Sequence, residues 1–364
     1  MNKIIIIYMP SNNKRMVIKI GTGVITATNG FLDLKIMKNI VSQIIKLKDN
    51  GWQVAVVSSG AMGAGRSLIK NIKCHDSVSC RQVLASVGQA KLMSVYTKLF
   101  GPKNLCAQVL ATKEDFKDQK HYNNMRNCFE ALLRQGVVPI VNENDVVAVS
   151  ELMFTDNDEL AGLIGAMLKV DELVILSVVD GLYMSDQKTI IKEIDAKTKW
   201  QQAVRSDQSI FGRGGMKTKA KIARKLALMG IEVNIVNGRK NNILLDLILL
   251  QKSVGTRFVS LRNKKVSGLK NRLSFMPVGA TGSVWVDQVA EKILLSGRPV
   301  SLLPVGAIKL QGNFKKGDLI KIKNSQGREI GLGMAQYDYQ TAQENLGHKN
   351  KKELIHYNYL LINL

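Results

Sequence analysis

Two lysine positions in this chain are costly unless something anionic sits beside them. Lys19 lies inside the apolar run VIKIGTG (17–23), just before Gly21-Thr22-Gly23. A buried ammonium is unfavourable unless paired or facing a ligand, and adjacent glycines let a phosphate approach the backbone. The plainer alternative is an edge-strand lysine with its head in water. Further on, GRGGMKTK (212–219) opens a helix at Gly214-Gly215-Met216 and puts Lys217 and Lys219 in its first turns. Cations there oppose the helix macrodipole, and a bound polyphosphate would reverse that conflict.

Polar clusters lie between these lysines. Ser58-Ser59-Gly60-Ala61, followed by Gly63 and Gly65, offers small residues whose backbone N–H groups could meet an anion, although tight turns use the same residues. Neither a GxxxxGK[ST] loop nor a GxGxxG fingerprint falls at a strand–helix junction. Asn142-Glu143-Asn144-Asp145 follows one apolar run, and Asp156-Asn157-Asp158-Glu159 precedes an Ala/Gly-rich helical stretch. One such cluster could be an N-cap, but two exceed what capping requires. Carboxylates in these places can orient a lysine, help place Mg²⁺ or hold a substrate's ammonium. The combined equipment suits the transfer of a phosphoryl group.

The elements that must position these residues alternate. Short apolar runs at 17–20, 54–57, 107–110, 137–141, 173–176 and 233–236 read as strands. Helical spacing is expected over 34–49, 79–99 (Val83, Val87, Leu92, Val95, Leu99), 124–134, 160–168, 216–229 and 242–250. Such alternation calls for an α/β domain with a mainly parallel central sheet covered on both faces. Ligands in these sheets sit beyond the carboxyl ends of the strands, where the polar clusters fall. The basic, polar stretch NKKVSGLKN (263–271) reads as a linker. Beyond it, strands at 282–286, 301–303, 319–323 and 330–334, with one helix at 288–295, suggest a small β-barrel. The expected division is an extension at 1–13, a large domain at 14–261, a linker at 262–274 and a second domain at 275–364.

The chain of 364 residues has no apolar stretch long enough to span a bilayer or form a signal-peptide core, which points to a cytoplasmic protein without membrane association. Cys74, Cys80, Cys106 and Cys128 form no C-x-x-C pair and read as unpaired thiols in a reducing compartment. The net charge of +23 raises the question of RNA. Its spread over the whole chain makes this weak support for nonspecific RNA contact.

In this order, VIKIGTG, VVSSGAMGAGR, LASVGQ (84–89), VPIVNEND, the DND of 156–158, DGLY (180–183) and GGMKTK resemble the amino acid kinase family, within it the bacterial glutamate 5-kinases. GATGSVWVD (279–287), SLLPVGA (301–307) and GNFKKGD (312–318) resemble a PUA domain. The resemblance implies an amino acid kinase-like three-layer sandwich followed by a PUA-like barrel. It also implies transfer of phosphate from ATP, with Mg²⁺, to L-glutamate at the first step of proline synthesis. Lys19 and Lys219 match the family's two lysines beside the transferred group, and Asp158 matches the carboxylate that organises them. Ser59, Asp145 and Asn157 match its glutamate-binding positions. Lys19, Gly21, Ser177, Val178, Gly214, Gly215, Met216, Lys217, Thr218 and Lys219 match its nucleotide-binding segments, and no protein metal ligand is implied. A homo-oligomer and handover of product to glutamate-5-semialdehyde dehydrogenase would also follow. Departures are Val178 after Ser177 where an acidic residue is usual, Arg213 and Lys217 in the glycine-rich loop, Val289 in place of Gly, and what looks like a one-residue insertion near Pro299. The alternatives are another carboxylate or phosphate kinase of the same fold, and an RNA-binding protein acting through the basic second domain.

Overall fold

The computed structural model describes residues 14–69, 71–147, 157–184, 186, 188–195, 198, 215–260, 280–296 and 298–362. The chain divides into two compact units, Met1–Lys264 and Lys265–Leu364. The expected linker at 262–274 lies outside the described residues.

In the first unit the strands are β1 (Arg15–Ile20), β2 (Gln53–Ser58), β3 (Cys106–Ala111), β4 (Val138–Glu143), β5 (Glu172–Ser177), β6 (Glu193–Ile194), β7 (Glu232–Asn237) and β8 (Thr256–Phe258). The helices are α1 (Thr22–Ile25), α2 (Leu34–Asp49), α3 (Ala61–Arg66), α4 (Ser77–Phe100), α5 (Lys113–Lys117), α6 (Gln119–Arg134), α7 (Asn157–Leu168), α8 (Met216–Leu228) and α9 (Ile243–Ile248). The eight strands form one sheet in the order β3-β4-β2-β1-β5-β7-β8-β6. All its pairings are parallel except β7 with β8.

Strand alternation sorts the two faces. Met16, Ile18 and Ile20 of β1, with Val54 and Val56 of β2 and Val174 and Leu176 of β5, enter a core built from α2, α4 and α9. Val17 and Lys19 therefore face the opposite side, where α7 packs on β1 between α6 and α8. The result is helix–sheet–helix, and the period of two in β1 aims Lys19 at α7.

Two expectations change here. Of the stripe expected on α4, Leu92 is buried and Val95 and Leu99 pack partly buried against the core, but Val83 and Val87 are 44% and 38% exposed. In the first half of the helix the buried positions are instead Leu84, Ala85, Gly88 and Gln89. A Cβ on Gly88 would overlap the Ala61 carbonyl oxygen, and one on Gly65 would overlap that of Leu84. Backbone-to-backbone approach of α3 and α4 thus fills this stripe with small residues, which leave no apolar period to read. Cys74 and Cys80, expected as free thiols, form a disulfide. The turn capped by Asp76, which accepts from Val78 N and Ser79 N, brings their Cα atoms to 5.4 Å, within bonding range. Cys106 and Cys128 are free.

The second unit holds β9 (Gly282–Val286), β10 (Ala307–Gly312), β11 (Leu319–Lys323), β12 (Glu329–Met334) and β13 (Leu360–Ile362), with α10 (Gln288–Leu294) and α11 (Tyr339–Glu344). The strands form a five-stranded sheet in the order β10-β9-β11-β12-β13 around Val284, Val286, Phe314, Ile320 and Ile322. The strand expected at 301–303 is only an isolated bridge, Leu302 to Ile355, and β10 was not anticipated. Val289 is 66% exposed on α10, so its side chain crowds nothing where glycine would be usual.

Candidate active site

The carboxyl ends of β1, β2 and β5 are held edge to edge. Ser59 N donates to Ile20 O at 3.1 Å and Gly21 N to Leu176 O at 3.3 Å. Around this edge the structure gathers the charged residues singled out above.

Asp158 lies in the first turn of α7 with its side chain fully buried. One carboxylate oxygen is 2.7 Å from Lys19 Nζ and the other is 2.8 Å from Lys219 Nζ. The lysine side chains are 3% and 12% exposed. Two ammonium groups from distant parts of the sequence therefore share one carboxylate at the sheet edge. A buried ion set of this kind adds little to stability, because desolvation opposes the Coulomb gain. What it does is hold two cations in fixed positions at the sheet edge. A Cβ on Gly21 would stand 3.6 Å from Lys19 Nζ and 3.3 Å from Leu176 O, so glycine keeps that approach open.

Lys219 is placed by its helix. Gly215 is the N-cap of α8, and Thr218 N and Lys219 N fold back to Gly215 O at 3.1 and 3.3 Å. Met216 and Thr218 are half-buried and Lys217 is exposed. Gly214, Arg213 and Asp156 lie outside the described residues. Ser177 ends β5, buried, and its carbonyl accepts from Gly238 N at 2.9 Å, while Val178 is exposed. Beyond it, Lys240 and Asn237 hydrogen-bond Asp180 and hold its carboxyl below the usual range.

A chain of side-chain amides forms the other wall. Asn157 Nδ2 is within 3.0 Å of Ser59 Oγ, 3.1 Å of Asn142 Oδ1 and 3.2 Å of Ser58 O. Asn142 Nδ2 in turn donates to Gln89 Oε1 at 2.9 Å. Ser58 Oγ meets Tyr96 Oη at 2.8 Å, and burial pushes the Tyr96 hydroxyl above its ordinary pKa. Gly60 (φ 102°) then turns the chain into α3 in a left-handed conformation that favours glycine. Asp145 sits half-buried in the turn after β4, three residues beyond Asn142. Below Asp158, Glu159 binds Lys113 at 3.2 Å, and burial holds Lys225 below the usual lysine range against the opposing pull of Glu159.

Lys19, Asp158, Lys219, Gly21, Ser59 and Asn157 are thus brought together, with Asp145 and Ser177 along the same edge. Tyr96 and Gln89 were not singled out as site residues. Gln89 closes LASVGQ, but no local pattern says that its amide continues the chain from Asn157. A cleft of about 810 Å³ opens at the opposite edge, among Lys14, Arg15, Arg126 and Asp171. It is a weaker candidate, because the Arg15 guanidinium is bound to Glu130 at 2.8 Å and Asp171 accepts from Arg15 N at 2.8 Å.

Comparison with known proteins fits this geometry. Residues 14–237 match the model of the amino acid kinase family, and residues 282–357 match that of the PUA domain. A protein of Chlorobaculum tepidum named glutamate 5-kinase is 46% identical over 96% of this chain and 97% of its own. One of Bacteroides thetaiotaomicron with the same name is 42% identical over 96% and 98%. Among solved structures, carbamate kinase from Giardia lamblia bound to AMP-PNP superposes with a TM-score of 0.50 at 17% identity, covering 68% of this chain and 99% of that one, a likeness of fold alone. The buried lysine pair on one carboxylate, the sheet order and these full-length relatives lead to one conclusion: the chain belongs to the amino acid kinase family, in its glutamate 5-kinase branch with a PUA domain.

Proposed function

We infer that the chain transfers the γ-phosphoryl group of ATP to the side-chain carboxylate of L-glutamate, giving L-glutamyl 5-phosphate and ADP, the first step of proline biosynthesis. The observation that carries this reading is Asp158 holding Lys19 and Lys219 at 2.7 and 2.8 Å at the carboxyl edge of the sheet.

Phosphoryl transfer passes through a loose transition state with charge on the equatorial oxygens, so fixed cations are the main catalysts. Lys19, beside Gly21, and Lys219, at the start of α8, are suited to flank those oxygens, with Asp158 keeping both heads in place. A carboxylate oxygen of glutamate forms the new P–O bond as the bond to the β,γ-bridging oxygen breaks, and ADP leaves. The free side chain has a pKa of about 4.3, so the nucleophile is already ionised at neutral pH and needs no general base. In this reading Ser59 and Asn157 would hold that carboxylate, and Asp145 would take the substrate ammonium. Ser177, Val178 and the segment from Gly214 to Lys219 would line the nucleotide.

Mg²⁺ bound to the nucleotide would neutralise charge on the β- and γ-phosphates. Both oxygens of Asp158 already face an ammonium, and among the described residues no group of three His, Cys, Asp or Glu side chains is placed to hold a metal. The residues therefore fit an ion carried in on ATP better than a protein-held one. No described helix is long and apolar enough to cross a membrane. A cytoplasmic enzyme is consistent with that.

The direct test supplies Mg-ATP, L-glutamate and hydroxylamine and measures γ-glutamyl hydroxamate. Its formation supports the reading. A preference for a nucleoside monophosphate or another carboxylate in a substrate panel would replace it with a different kinase of this fold.

A further inference from the structure

One arginine clamps the segment that runs past the Lys19 head. After β1 the chain passes Gly21, where a Cβ would stand 3.6 Å from Lys19 Nζ, and enters α1. No side chain caps α1 at its start, and Thr22 and Gly23 are not buried, so little else in this stretch holds its opening turn. Arg239, 216 residues beyond Gly23, reaches back to it. Its Nη2 donates to Gly23 O at 2.7 Å and to Thr26 O at 2.9 Å, and its Nε donates to Gly23 O at 3.2 Å. One planar fork thus fixes two carbonyls at once, with a rigidity that a lysine head lacks.

The clamp has its own anchor. Arg239 lies in the turn after β7, where Gly238 N donates to Ser177 O at 2.9 Å and Arg239 N donates to Asn237 Oδ1 at 3.0 Å. Asn237 and Lys240 both hold Asp180, each at 2.8 Å. A Cβ on Gly238 would come within 2.8 Å of Val24 Cγ1 and of Leu176 Cβ, so this turn packs closely against α1 and β5. Arg239 itself is exposed and fills no core. Its contacts join segment 21–26 to the strand ends that carry Ser177 and Asn237.

The proposed transfer, on which this inference rests, needs the backbone beside Lys19 held still, because a misplacement of about 1 Å can cost on the order of 100-fold in rate. We propose that Arg239 is a positioning residue for phosphoryl transfer. It holds segment 21–26 against the turn after β7, and so keeps the glycine backbone and the Lys19 head in register with the phosphate chain of ATP. It acts through that backbone and not on a substrate.

The test uses the full chain with Arg239→Met and Arg239→Lys, assayed by hydroxamate formation at a temperature where circular dichroism shows each variant folded. In Arg239→Met, kcat should fall on the order of 10- to 100-fold and KM for ATP should rise. KM for glutamate should change less than about twofold, because among the described residues no hydrogen bond joins Arg239 to Ser59 or Asn157. Arg239→Lys, which keeps one donating head, should recover part of kcat. A folded Arg239→Met that melts lower but keeps the parent kcat and KM for ATP overturns the proposal, because Arg239 then serves stability alone. An equal rise in both KM values also overturns it. If Arg239→Met does not fold, Arg239→Lys decides: parent kinetics overturn the proposal, and a lowered kcat with unchanged KM for glutamate supports it. A parent chain that forms no hydroxamate overturns the proposed reaction, and this inference with it.

Discussion

Replacing Asp158 by Asn removes one negative charge and leaves two ammonium groups facing a neutral amide in a site closed to water. In the native site the carboxylate is 0% exposed and its partners 3% and 12%, so solvent cannot take over its task. Removing one partner of a buried ion pair costs about 3–5 kcal/mol, and here the two cations that remain also repel each other. For a unit of this size that is a fall in melting temperature on the order of 6–20 °C. Hydroxamate formation should fall by orders of magnitude as the lysine heads part. The distinguishing readout is rescue: inorganic triphosphate or ATP supplies the missing oxygens, so either should raise the melting temperature of Asp158→Asn more than that of the parent. Calorimetry with and without triphosphate, beside the hydroxamate assay, decides it. A variant that melts and turns over like the parent would refute the idea that this carboxylate holds the lysines.

Two more outcomes follow from neighbouring groups. Asn157→Ala removes the Nδ2 that lies near Ser59 Oγ, Asn142 Oδ1 and Ser58 O, so KM for glutamate should rise about tenfold while KM for ATP stays near its parent value. Burial, and then the charge of Glu232, push the Glu172 carboxyl up to about 7. A carboxyl whose pKa is raised on folding costs stability as pH climbs from the unfolded value, about 4.3, through 7. Glu172→Gln should therefore be more stable than the parent by about 3 kcal/mol at pH 8, with the gap closing below pH 4.5 in urea titrations. A difference independent of pH would show that Glu172 is ionised at its ordinary pKa.

How far the sequence revealed all this depended on whether the signal was local. The runs ending at Ile20, Val57, Val141 and Leu176 read correctly as strands, because parallel strands covered on both faces must be continuously apolar. Lys19 stood out by violating that rule. Its partner could not be derived from spacing, since Asp158 lies far away in sequence, and it was suggested only by family resemblance. Asp158 also proved to lie inside α7, which begins at Asn157 rather than after the acidic cluster. Only the first half of α4 was misphased, because its contact with α3 uses glycine and alanine, which are silent in a hydrophobic pattern. The same helix hid the roles of Gln89 and Tyr96. The Cys74–Cys80 bond was missed because a search for C-x-x-C ignores a turn that brings more distant cysteines together.

The most direct test of the account is a crystal structure of the full chain with L-glutamate, Mg²⁺ and a non-hydrolysable ATP analogue. The account predicts Lys19 Nζ and Lys219 Nζ both within about 3 Å of γ-phosphoryl oxygens, with the glutamate carboxylate in line behind the phosphorus. A γ-phosphoryl group bound elsewhere, with the two lysines still closed on Asp158, would contradict it.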